Sequence, residues 1–124
     1  MALTLETVLR DDLANSIDDS VNTGAGTSNL KFETSADAEV ATIDFQNPAF
    51  GAAATGVITL QGTPLEDASA TAGTIAQFSI FDRDGQKQLE GVVLVSGGDI
   101  NITSLVIAGG DTIELTSFSI TVPA

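Results

Sequence analysis

A chain of 124 residues is long enough for one domain with a single core, and this one has no Cys, His, Trp or Tyr, so neither disulfides nor Cys and His ligands to zinc can brace it. Seventeen carboxylates stand against four basic residues, Arg10, Lys31, Arg83 and Lys87, for a net charge of −13. Binding to phosphates draws its affinity from clustered Lys and Arg, so neither nucleic acid nor an anionic membrane is expected as a partner.

The first residues, MALTLETVLRDD, lack the basic start and the apolar run of a secretory signal, and no run of about 18 apolar residues could span a bilayer. The expectation is a soluble intracellular product. Leu5, Val8, Leu9, Leu13 and Ile17 recur mostly at three- and four-residue spacing, which predicts an amphipathic helix within an N-terminal arm, residues 1–24. Thr4 is the expected N-cap, Leu3 and Val8 the expected hydrophobic staple, and Glu6 suits the positive end of the helix dipole. Gly24 is expected to end the helix with a left-handed φ. The apolar stripe needs a surface to pack on, either the body of its own domain or a neighbouring subunit.

From residue 29 the pattern becomes β. Leu30 to Glu33 and Glu39 to Phe45 alternate as strands, with a polar turn between them. Residues 46–56 hold too many small residues and breakers for regular structure, so they are expected to form a loop held by Phe50, either as a core ring or as an interface anchor. A strand is expected at Val57 to Gln61, and Gly62 to Thr71 reads as a polar connection that Pro64 keeps out of a central strand. Gly73 to Val95 reads as a long hairpin about Asp84-Gly85, a dipeptide suited to a tight primed turn. Ile100 to Ile102, Leu105 to Ile107 and Thr112 to Val122 follow. In the last run Ile113 and Leu115 share one parity and Phe118, Ile120 and Val122 the other, which predicts a bulge or kink near Thr116-Ser117.

Together these segments predict a mainly β single domain over residues 1–124. Residues 29–124 form an antiparallel β-sandwich or flattened barrel of about eight strands, preceded by one N-terminal α-helix. Immunoglobulin-like and jelly-roll strand orders both remain open.

Catalysis finds little to work with. Without His the usual base for a Ser or Thr nucleophile is missing, and Lys31 and Lys87 sit among acidic residues that would raise their pKa. A carboxylate pair for glycoside hydrolysis would need a cleft and, in general, stacking rings, and Trp and Tyr are absent. The expectation is therefore not an enzyme. Asp82-Arg83-Asp84-Gly85 resembles the start of an EF-hand loop, but Lys87 stands where that loop needs Gly and Val93 where it needs Glu, so a hairpin turn is expected instead. No metal or cofactor is expected. The acidic pairs Asp11-Asp12 and Asp18-Asp19 are read as a solvated helix face.

Several stretches share a style with a known group of proteins. They are the helix followed by Gly24-Ala25-Gly26, the loop from Asn47 to Ala53, the segment Ala68 to Thr74, Phe78 to Gly85, and the tail from Gly98 through Asp111 to Val122. Together they resemble small virion proteins of tailed bacteriophages. What the resemblance implies is a structural protein, most of all a head decoration, or cement, protein made in the host cytoplasm and carried on the capsid exterior. Its partner would be the major capsid protein, and it would be a homo-oligomer, with a trimer natural at threefold lattice points. The expected contact residues are Leu5, Val8, Leu9 and Leu13 of the helix, with Phe50 from the loop. A tail or head-to-tail junction component and a host-glycan-binding adhesive module are the alternatives.

Overall fold

The computed structural model describes residues 3–123; residues 1, 2 and 124, the ends of the expected domain, lie outside the described part. One helix, α1 (Thr7–Val21), precedes the strands. It starts two residues later than a Thr4 cap would require. Glu6 is the N-cap, with extended backbone and no side chain capping the free N–H groups. This start makes Val8 the second helical residue, two short of the position a staple uses, so the expected staple does not close: Leu3 is 92% exposed and Val8 75%. At the other end Gly24 has φ +112°, the conformation expected of it.

Eleven strands follow among the described residues: β1 (Asn29–Glu33), β2 (Glu39–Asp44), β3 (Val57–Thr59), β4 (Leu65–Asp67), β5 (Gly73–Thr74), β6 (Gln77–Phe81), β7 (Lys87–Leu94), β8 (Ile100–Asn101), β9 (Val106–Ile107), β10 (Ile113–Leu115) and β11 (Ser119–Thr121). They outnumber the eight or so expected because frequent Gly, Pro and Asp cut the later runs into pieces of two or three residues. The main sheet has the order β2-β1-β6-β7-β8, and three two-stranded ribbons, β10-β4, β11-β3 and β5-β9, complete the ladders among the described residues.

Strand periodicity builds one apolar face on this sheet. Leu30 lies opposite both Ile43 and Ile80, and Phe32 opposite both Ala41 and Phe78, and all six are buried. The intervening positions, Lys31, Thr42 and Ser79, fall on the other face. Over the apolar face the rings make a chain: Phe118 meets Phe78 edge-on at 5.8 Å and Phe50 at 6.2 Å, and Phe50 meets Phe45 at 6.0 Å. Phe50 is thus a core ring, 1% exposed, and the structure gives it no surface to offer a partner.

The parity change in the last run is resolved by a break rather than a bulge. Ile113 and Leu115 are buried as β10 pairs with β4, and after residues 116–118 the chain pairs with β3 as β11, so each set of apolar residues faces the core from its own ribbon. One pairing departs from the antiparallel expectation. β7 and β8 run parallel, although only five residues connect them. Gly97, at φ +80°, and the Asp99 carboxylate, which accepts from Val92 N–H, fold that return tightly enough for two residue pairs to match. At the opposite edge of the sheet, Thr42 N–H of β2 donates to Asp67 Oδ2 and Thr71 N–H donates to Val40 O, so the 67–71 segment covers part of an edge that would otherwise invite strand addition.

The hairpin about Asp84-Gly85 is present but shorter than Gly73 to Val95 and not a two-residue turn. Gly73-Thr74 pairs with β9 instead, and the hairpin proper is β6 with β7. Gly85 alone in the loop has positive φ, whereas a type I′ turn needs two such residues. The buried Asp82 organises the longer loop: its Oδ1 accepts from Asp84 N–H and Gln86 N–H, and its Oδ2 from Gln88 Nε2. These donors, led by Gln86 N–H, hold its carboxyl below the usual carboxylate range.

Candidate docking face

The loop 46–56 has backbone donors that no strand can use, and α1 meets them. Ala49 N–H donates to Asn22 Oδ1, Phe50 N–H to Asp18 Oδ1, Ala53 N–H to Asn15 Oδ1 and Gly56 N–H to Asp11 Oδ1, all at 2.6–3.0 Å. Residues 11, 15, 18 and 22 are spaced four, three and four apart, one side of a helix, so each turn of α1 supplies one acceptor to the loop. Arg10 adds the reverse polarity, donating from Nε to Val122 O and from Nη2 to Thr55 O. It lies against Gly56, where a Cβ would come within 2.9 Å of Nε. Burial raises the Asp18 carboxyl above the usual range, and this outweighs its bonds from Phe50 N–H and Asn22 Nδ2.

Apolar contact from this side of α1 comes mainly from Ala14 and Val21, both fully buried, with Ile17 partly buried at its margin. Of the expected stripe, only Leu5 and Ile17 pack against the core. Leu9 is 46% exposed and Leu13 42%, while Leu5 is half-buried and Val8 projects on the other flank. Polar residues hold the helix down and leucines point away from the body.

Beside that exposed row lies a groove of about 440 Å³ between α1, the start of β7 and the C-terminal tail. Leu13 and Ile17 form one wall, Leu89 and Val122 contribute from the other, and Ser16 and Ser20 keep the helix side shallow. Leu9, Leu13 and Ile17 recur every four residues, so the apolar row runs for about 12 Å along the helix axis. The exposed charges on the helix side of it are acidic. Glu6, Asp12 and Asp19 are exposed on the helix, whereas its one cation, Arg10, is turned inward. Across the groove Lys87 is held by Glu90 at 3.2 Å.

Of the expected contact residues, the structure therefore places Val8, Leu9 and Leu13 at the surface, Leu5 at its margin and Phe50 in the core. Sequence reasoning missed the acceptor row and Arg10. The signal was available, since Asp11, Asn15, Asp18 and Asn22 already share helical spacing, but charged and amide residues on a helix read first as a solvated side. A second exposed apolar group, Val92, Leu94 and Val95 on and after β7, borders the β8 edge. Among the described residues no three carboxylates converge as a metal cage. No protein-family model, curated protein or solved structure matches the chain.

Proposed function

We propose that the chain is a virion structural protein of a tailed bacteriophage, a head decoration protein that binds the major capsid protein on the outside of the shell and stabilises it without catalysis. The style of its turns and strands, shared with small phage virion proteins, supplies the class. The observation that carries the docking role is the outward row Leu9-Leu13 on a helix whose polar side is bonded to the body. An isolated surface leucine is ordinary, but an ordered row beside an apolar groove marks an interaction surface. On this reading the five-stranded sheet and the β3-β11 ribbon are the two layers of a flattened sandwich that carries α1 rigidly, and a trimer at threefold positions would repeat the face three times.

The contribution to the shell is additional buried area across capsid subunits, which opposes the outward pressure of packaged DNA. Heads assembled with and without the protein test this. Heads lacking it should release DNA at a lower temperature, and adding the purified protein back should restore the difference. Equal release temperatures for the two preparations would remove the stabilising role.

A further inference from the structure

We infer that the α1 groove is built for a heterologous protein segment that is apolar at its centre and flanked by Lys or Arg, and not for a second copy of this chain. The inference deepens the decoration reading by giving the chemistry of the capsid segment, and it rests on that reading only for the partner's identity. Leu13, Ile17, Leu89 and Val122 line the groove, and Leu9 extends their row along the helix, giving an apolar strip long enough for two turns of a helix or a short strand. The exposed charges that α1 and its N-cap carry beside the groove, Glu6, Asp12 and Asp19, are all acidic. Charge complementarity across a rim selects partners and speeds their encounter, and like charges set face to face penalise the wrong ones.

A second copy fails that requirement for a specific reason. Its four cations are few and partly engaged: Lys31 and Lys87 form surface pairs with Glu39 at 3.3 Å and Glu90 at 3.2 Å, Arg10 bonds to the backbone of the tail and loop, and Arg83 is half-buried at the hairpin. Two copies meeting here would bring acid to acid at a net charge of −13 each. A lipid surface fits no better, since its headgroups are neutral or anionic. Any homo-oligomer must then form through other surfaces, leaving this groove free.

Two designed helical peptides with the same Leu and Ile face, one flanked by Lys and the other by Glu, test the inference on the whole protein by NMR. The Lys-flanked peptide should shift the amides of residues 9–20 and bind at least tenfold tighter than the Glu-flanked one at low salt. The preference should shrink at high salt. Asp12→Lys with Asp19→Lys should reverse it, while Leu9→Ser with Leu13→Ser should weaken both peptides by about tenfold. Equal binding of the two peptides, or shifts that avoid α1, would overturn the inference. So would sedimentation of the protein alone showing a dimer that the Leu9→Ser, Leu13→Ser variant abolishes. None of these outcomes depends on the virion, so the peptide result and the head-stability result fail separately.

Discussion

Replacing Asp18 tests whether hydrogen-bond acceptors, rather than charge, fasten α1 to the body. Asp18 Oδ1 receives Phe50 N–H at 3.0 Å and Asn22 Nδ2 at 2.9 Å, and Phe50 is 1% exposed. Asp18→Ala strands that buried N–H, which costs about 1–3 kcal/mol. For a chain of this size the melting temperature should fall by roughly 3–12 °C. Asp18→Asn keeps an oxygen in the same place and removes a charge that burial disfavours, so at pH 7 it should be as stable as the wild type or more so. The pH dependence has a definite sign. A carboxyl whose folded pKa is raised favours the folded state most below its unfolded pKa, and that advantage is lost as pH rises through the folded value. The Asn variant should therefore gain on the wild type as pH rises above about 4. Urea denaturation of the three proteins from pH 3 to 7 reads this directly. If Asp18→Asn loses as much as Asp18→Ala, the charge holds the loop and the acceptor account is refuted.

Further outcomes follow from the same geometry. Gly24→Ala should lose about 2 kcal/mol or more in urea denaturation, because φ is +112° and the added Cβ would lie 2.6 Å from Asp84 N. Asp82→Asn should melt at lower temperature than the wild type at pH 7, and the gap should close on acidification. A depressed carboxyl stabilises the fold above its unfolded pKa and loses that effect as pH falls through the folded one. EDTA should leave the wild-type melting temperature unchanged, since three N–H donors already occupy that carboxylate; a drop on chelation would return an ion to the loop. Phe50→Ala should cost about 3–5 kcal/mol as a core cavity, while Leu9→Ser with Leu13→Ser should change stability by only about 1 kcal/mol in urea.

What the sequence made legible was mostly local. Alternation at Leu30 to Glu33 and Glu39 to Phe45 located β1 and β2 closely, and the turn chemistry of Asp84-Gly85 located the β6-β7 connection. Turn type was hidden because a side chain two residues earlier, Asp82, sets it. The parity change near Thr116-Ser117 announced a discontinuity, but its consequence was non-local: β4 and β3, about fifty to sixty residues upstream, receive the two halves. Periodicity found α1 and left open whether its stripe packs on the body or on a neighbour, but it missed the polar side, read as solvated, that faces the loop. The loop 46–56 pairs only some of its N–H groups with backbone, Gly51 and Ala54 with β3, so the rest needed acceptors more than the loop needed leucines, and an unpaired buried donor costs as much as a modest apolar contact gains. Gly24 and Gly26 show the same limit. Their turn role was readable, yet Gly26 N–H donating to Arg83 O, and the close approach of Gly24 to Asp84, depend on where the hairpin ends.

A cryo-EM reconstruction of the intact virion tests the docking claim most directly. Copies of the chain should lie over the outer capsid surface, with Leu9 and Leu13 of α1 against a capsid segment that carries Lys or Arg beside apolar residues. Copies confined to the portal or tail would contradict the decoration role, and copies on the shell with α1 facing solvent would contradict the docking face.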